Sequence, residues 1–269
     1  MKQPSPAPTS PAADPDPYRG ERFPAAGSLR PTPETRYSAW YATRKGAFML
    51  ARKEELLRRL LSGWARRSRS LLVVQAGEGM FLESLWESGF DVTGQESVPA
   101  LLDAARARLG ARAEYALSAP DHLPFDPCSF DYAVAVDALE FCRDQEAVLR
   151  EMDRVVCGGV ILMVPNAWSL SGLCCRRGAA CGPLRPFLQS PRVLQRLVKK
   201  VFAGQRAVWI SSLLGPAWSW RPYPPAILAN SLHTPLPAGA VIGVRIDFGP
   251  LSTGTPLPAA VRSPVSTLE

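Results

Sequence analysis

The run SLLVVQAGEGMFLESLWESG, from Ser70 to Gly89, constrains the fold of this chain more than any other stretch. Ser70 to Ala76 is a short, nearly continuous apolar run, and Gly77 and Gly79 follow it before Met80 to Ser88 takes on helical character. A strand buried on both faces reads as an unbroken apolar run rather than an alternation, and such strands belong to parallel sheets. The glycine turn that follows lets backbone approach a ligand closely and aims free N–H groups at it.

The same unit recurs down the chain. Phe90 to Gly94 (FDVTG) reads as a second strand, and Val98 to Leu109 as a second helix with Pro99 in its permitted first turn. Ala113 to Leu117 and Phe130 to Val136 make the third and fourth strands, Asp144 to Val155 a helix, and Gly159 to Val164 the fifth strand. The pattern predicts an α/β fold, Rossmann-like and doubly wound, with a mostly parallel sheet and helices on both faces.

Upstream, Tyr37, Trp40, Tyr41, Phe48, Met49, Leu56, Leu57, Leu60 and Leu61 keep near-helical spacing between Glu34 and Trp64. Gly46 is the expected break into two N-terminal capping helices. Past Asn166 the alternation stops, and a Cys-, Gly- and Arg-rich loop leads to a basic amphipathic helix at Pro191 to Phe202. Its apolar stripe is Val193, Leu194, Leu197, Val198 and Val201, and a closing strand pair is expected at Ala207 to Leu214 and Ala240 to Phe248. The organisation expected is a disordered Pro-rich tail (1–33), a cofactor-binding domain with its capping helices (34–165), a basic C-terminal lid or substrate region completing the sheet (166–250), and a flexible tail (251–269).

Charge is unevenly placed. The formal net charge is +7, and between Asp153 and Asp247 there is no Asp or Glu while eleven Lys and Arg occur. That half is a basic appendage, suited to an anionic surface or to solvation of a cationic helix. No stretch approaches the roughly 18 apolar residues that span a bilayer, so no transmembrane segment and a cytoplasmic location are expected. The six cysteines are then expected as reduced thiols. Cys174, Cys175 and Cys181 lack ligand spacing and a nearby histidine, so no metal site is expected.

Two features carry chemistry. Gly77 and Gly79 sit where a ligand would meet the turn, and Glu96 lies about twenty residues on, just past the second strand, where a carboxylate accepts both ribose hydroxyls of an adenosine. A tight βα turn and a solvated helix-start glutamate are the plainer alternatives.

With these residues in view, LLVVQAGEGMFLESLWESGFDVTGQESVPALLDAARARL resembles the cofactor-binding half of bacterial class I S-adenosylmethionine-dependent methyltransferases, in particular the type 11 group. DHLPFDPCSFDYAVAVDALEF is similar to the family's loop and fourth strand, and YSAWYATRKGAF to its aromatic lead-in helix. The resemblance covers Tyr37 to Val164 and implies S-adenosyl-L-methionine as cofactor. It places Gly77 and Gly79 against the methionine part, Glu96 on the ribose, Leu123 and His122 near the adenine, Phe141 on the substrate side, and Tyr37 and Trp40 closing over the cofactor.

The chain departs from the family at three positions. Val73 stands where an acidic residue is usual, Gln75 where a glycine is usual, and Ala119 where an Asp contacts the adenine amino group. One lost charge-assisted hydrogen bond costs about 1.5 to 3 kcal/mol, or roughly ten- to a hundredfold in affinity. Glu78 and Asp121 are the candidates to restore the charge. The family's chemistry needs alignment of an acceptor with an activated methyl group rather than an elaborate catalytic set, and the sequence names no catalytic residue beyond His122 as a possible base. The function expected is methyl transfer to a small-molecule or lipid-like acceptor, with nucleic acid ranked lowest as a partner. The alternative is a catalytically inactive methyltransferase-like domain serving as a binding module.

Overall fold

Among the described residues seven strands form one sheet in the order β3-β2-β1-β4-β5-β7-β6. They are β1 (Ser70–Val74), β2 (Asp91–Glu96), β3 (Glu114–Leu117), β4 (Phe130–Val136), β5 (Val156–Pro165), β6 (Arg206–Ser212) and β7 (Val241–Asp247). The computed structural model describes residues 39–176, 188–221 and 224–249. The helices are α1 (Arg44–Leu61), α2 (Met80–Glu87), α3 (Pro99–Leu109), α4 (Gln145–Val155), α5 (Leu170–Arg176), α6 (Pro191–Val201) and α7 (Pro224–Ser231). The expected tails, 1–33 and 251–269, lie outside the described residues, as does Tyr37.

The first five strands pair in parallel, and β7 runs antiparallel to both β5 and β6. The expected α/β sheet is therefore present, closed at one edge by an inserted antiparallel strand. Central strands supply two cores by alternation. Leu71, Val73, Val134, Val136, Ile161 and Met163 face α1 and α2 on one side. Leu72, Val74, Ala133, Ala135, Leu162 and Val164 face the other with Val148, Leu149 and Met152 of α4 and Leu194 and Val198 of α6. This double burial is the reason β1 carries no polar alternation.

The lead-in differs from its expectation. Thr43, not Gly46, punctuates it: the Thr43 hydroxyl accepts a hydrogen bond from Gly46 N (3.1 Å) and starts an 18-residue helix. Gly46 lies inside that helix because a Cβ there would fall 1.9 Å from the Trp40 carbonyl, where the preceding turn crosses. α1 packs on the antiparallel edge of the sheet. Its approach uses Gly243, whose missing Cβ leaves room for Leu60 Cδ1 at 2.5 Å, and Arg245 Nη1 donates to the Leu60 carbonyl at 3.0 Å.

In α6, Leu194 and Val198 are buried, while Val193 is exposed despite its place in the predicted stripe. Residues 194 and 198 are four apart and share one line of the helix, which leaves 193 a hundred degrees away toward solvent. The expectation of reduced thiols also meets a difference. Cys128, just before β4, is disulfide-bonded to Cys157 of β5, with Cα atoms 5.0 Å apart, because parallel pairing of β4 and β5 brings these positions together. No helix among the described residues is long and apolar enough to cross a membrane.

Candidate functional site

The carboxyl ends of β1, β2 and β4 open into one cavity, part of it open to solvent. Gln75, Ala76, Gly77 and Glu78 of the turn form one wall, with Met80 and Phe81 at the start of α2. Glu96 ends β2 on one side. Val136, Asp137 and Phe141 close the β4 side, and Tyr41 covers it from the lead-in.

Local chain geometry sets the turn. Gly77 has φ +57° and Gly79 φ +81°, conformations that cost an L-residue with a side chain roughly 1–2 kcal/mol. A Cβ on Gly77 would project into open space, so the backbone there is bare toward solvent and any ligand. Gly79 instead packs close to Ala105 of α3, at 3.1 Å from a would-be Cβ. Gly77 therefore lines the cavity and Gly79 serves helix packing. Gln75 also has positive φ (+53°), the backbone state for which a glycine is usual. Its side chain compensates: Oε1 accepts from Ser97 N (3.2 Å) and Ser97 Oγ (3.1 Å). Gln95 continues the tie, accepting from Gln75 N at 3.1 Å and donating to the Ser118 carbonyl at 2.6 Å. Three strand ends are locked together this way.

Glu96 is 1% exposed, and its carboxylate is held by backbone donors. Gly77 N reaches Oε2 at 2.9 Å, while Ser97 N (2.7 Å), Val98 N (3.0 Å) and Ser97 Oγ (3.2 Å) reach Oε1. A carboxylate has about four lone-pair sites, so Oε2, with one donor, keeps acceptor capacity on the cavity side. The start of α3 beyond Val98 adds the favourable end of a helix dipole.

At the β4 side stands a group that the sequence reading missed. Asp137 follows β4 with φ +51°, and its Oδ2 accepts hydrogen bonds from Tyr41 Oη (2.7 Å) and from Lys53 Nζ. Lys53 is 0% exposed and also donates to Tyr41 Oη at 2.9 Å. Lys53 comes from the apolar face of α1, between Met49 and Leu56. A lysine on such a stripe is the one sequence signal that could have exposed this pair, since a buried ammonium requires a partner. The Cys142 thiol nearby is pushed up to about 12, first by burial and then by the carboxylates of Glu140, Asp121 and Glu96.

The remaining predicted residues fall elsewhere. Trp40 is partly buried against the core and meets Trp220 edge-on at 6.4 Å; Tyr41, its neighbour, is the aromatic residue that lines the cavity. Leu123 is in the core, its N–H donating to Glu151 Oε2 at 2.9 Å, and His122 beside it is exposed. Neither lines the cavity. Arg154 anchors their loop through the Leu123 and Phe125 carbonyls, and its hydrogen bond to Glu151 holds that carboxyl below the usual glutamate range. Val73 is buried in the core, and Ala119 is exposed. Phe141 and Glu78 line the cavity.

Comparison with known proteins finds likeness both in sequence and in fold. A family model for a methyltransferase domain matches residues 72–164. The malonyl-[acyl-carrier protein] O-methyltransferase of Serratia marcescens is 33% identical over 101 residues, which are 37% of this chain and 39% of that protein. The match thus spans about two fifths of the relative's length. Among solved structures, a Thermotoga maritima S-adenosylmethionine-dependent methyltransferase, described as a possible histamine N-methyltransferase, superposes with a TM-score of 0.59 at 19% identity over 79% of this chain and 95% of that one. Phosphoethanolamine N-methyltransferase 2 of Haemonchus contortus, solved with S-adenosyl-L-methionine, gives a TM-score of 0.52 at 14% identity over 81% of this chain and 60% of that one. At these identities the structural likeness is one of fold. The stretch matched by the methyltransferase-domain model, residues 72–164, contains the glycine turn and Glu96.

Proposed function

We propose that this protein binds S-adenosylmethionine in the cavity at the carboxyl ends of β1, β2 and β4 and transfers its methyl group to a small-molecule or lipid-like acceptor. One observation carries the reading: Glu96 Oε2, joined to Gly77 N at 2.9 Å, presents an unfilled acceptor beside bare backbone. The fit extends to charge. Glu78, Glu96 and Asp137 line the cavity and, among the described residues, no Lys, Arg or His does, which suits a sulfonium ligand.

When bound, the cofactor supplies an already activated methyl group. The chain's residues hold and orient. Glu96 accepts the ribose hydroxyls, Gly77 lets the chain approach without a side chain in the way, and the Gln75–Gln95–Ser118 tie keeps the three strand ends in register. Phe81, Val136 and Phe141 exclude water from the wall facing Asp137, which favours an acceptor with an apolar body. The adenine lies toward Ser118 to His122, outside the enclosed part, with Leu123 as the floor of that loop. The aromatic cover is Tyr41, with Trp40 and Tyr37 before it in the chain.

A second cavity, lined by Trp168, Arg192, Arg206 and Trp209, lies on the basic C-terminal part, where the Arg192 guanidinium sits 4.7 Å from the Trp168 ring. We assign the anionic surface to this part rather than to the cofactor cavity.

Calorimetric titration with S-adenosylmethionine and S-adenosylhomocysteine tests the reading. Micromolar binding that weakens ten- to a hundredfold in Glu96→Ala supports it and justifies an acceptor screen. Absence of binding at millimolar ligand overturns it in favour of an inactive binding module.

A further inference from the structure

We infer that Asp137 Oδ1 is the receptor for an ammonium group inside the cavity. The inference rests on the proposed cofactor site but concerns a group that neither the family motif nor the sequence reading assigns.

Asp137 is a divided carboxylate. Oδ2 is saturated by Tyr41 Oη and Lys53 Nζ, whereas Oδ1 is buried and finds no hydrogen-bond partner among the described residues. The side chain is only 8% exposed and lines the cavity. Buried carboxylate oxygens are almost always hydrogen-bonded, so an orphaned one at a ligand cavity marks where a donor arrives. The backbone fixes its aim: Asp137 holds a positive φ while its own N–H is committed to the Met163 carbonyl at 3.0 Å. Lys53 and Tyr41 then hold the side chain through Oδ2.

Charge selects the donor. Among the described residues three carboxylates, those of Glu78, Glu96 and Asp137, line the cavity, and one buried ammonium, that of Lys53, stands behind its wall. The excess is negative, and a cation answers it better than a neutral amide or hydroxyl. Position narrows the source to two. β1 lies between β2 and β4, so Asp137 is two strand spacings, roughly 10 Å, from the Glu96 strand. A ligand whose ribose sits on Glu96 would bring its amino-acid end toward Asp137, and an acceptor amine would enter at the same end. The cofactor's α-ammonium and an ammonium on the acceptor share the required chemistry. In the first case Asp137 supplies, from β4, the negative charge that Val73 no longer supplies from β1.

The test uses the full chain and Asp137→Asn. Each is titrated with S-adenosylhomocysteine, with methylthioadenosine, which lacks the amino acid, and with n-butylammonium in the presence of saturating S-adenosylhomocysteine. If the α-ammonium is the ligand, Asp137→Asn weakens S-adenosylhomocysteine about ten- to a hundredfold and methylthioadenosine less than about threefold. If an acceptor ammonium is the ligand, both nucleosides bind as before and millimolar n-butylammonium binding is lost. The inference is overturned if all three are unchanged, or if the two nucleosides weaken equally, which marks a merely structural residue. Should Asp137→Asn fail to fold, the neutral pair Lys53→Met with Asp137→Asn takes its place. The unmodified protein adds an arm of its own: it fails the inference if the hydroxyl analogue of S-adenosylhomocysteine, lacking the amine, binds as tightly as the parent while n-butylammonium does not bind. Absence of any nucleoside binding to the unmodified protein instead sinks the cofactor reading, and n-butylammonium alone then still tests Asp137.

Discussion

The two ends of the cavity hold a carboxylate each, and they are built by opposite means. At the β2 end, Glu96 is held by N–H groups of its own strand end and of the adjoining turn, none more than 19 residues away. At the β4 end, Asp137 is held by side chains 84 and 96 residues distant, one of them a lysine with no exposure. The first carboxylate is satisfied mainly by neutral backbone donors. The second depends on a matched charge pair, so removing either partner strands a buried charge, whereas removing Glu96 strands only neutral donors.

Unfolding experiments break or sharpen this contrast, and the largest effect belongs to the β4 end. Lys53→Ala is expected to destabilise the protein by about 3–5 kcal/mol in urea denaturation, because Asp137 is left charged and unpaired in the core. Lys53→Met with Asp137→Asn should restore most of that loss; equal losses in the single and double variants would mean that packing, not charge, sets the cost. At the β2 end Glu96→Ala should cost less, about 2 kcal/mol, as the Gly77, Ser97 and Val98 N–H groups lose their acceptor. A loss there above that of Lys53→Ala would reverse the comparison.

Smaller still is Gln75→Gly. Relief of the left-handed backbone, roughly 1 kcal/mol, is offset by the lost bonds to Ser97, about 1 kcal/mol in sum. The urea midpoint should therefore move by less than the equivalent of about 1 kcal/mol, and a large loss would show that the strand-end tie dominates. Alkylation of Cys142 reports the surroundings of its thiol. With its thiol pushed up to about 12, almost no thiolate exists at pH 8, so iodoacetamide should modify Cys142 slowly in the folded protein and readily after unfolding. Fast modification of the native thiol at pH 8 would argue against a buried, acidic surrounding.

The β2 end was legible because its signals are local. An apolar run, two glycines and a carboxylate at the next strand end occupy one stretch of sequence, and the fold brings Gly77 and Glu96 to one cavity. Gly79 was legible as a glycine but not in its role, since only the packing of α2 on α3 shows that Ala105 needs the space. His122 and Leu123 carried no hint of their placement, because Arg154 and Glu151, on a distant helix, fix that loop. The same holds for Val193: periodicity admits it to the stripe, and only the packing of α6 through its Leu194–Val198 line leaves it outward.

By itself the sequence determined the parallel α/β sheet, the glycine turn and the place of Glu96, because strand burial, turn chemistry and a neighbouring carboxylate act through short-range backbone geometry. Only the tertiary structure decided the antiparallel insertion of β7 between β5 and β6, the Cys128–Cys157 pairing and the burial of Lys53 against Asp137. These depend on which distant elements lie side by side. Residue spacing records the period of a helix or strand, and partners 84 positions apart share no period.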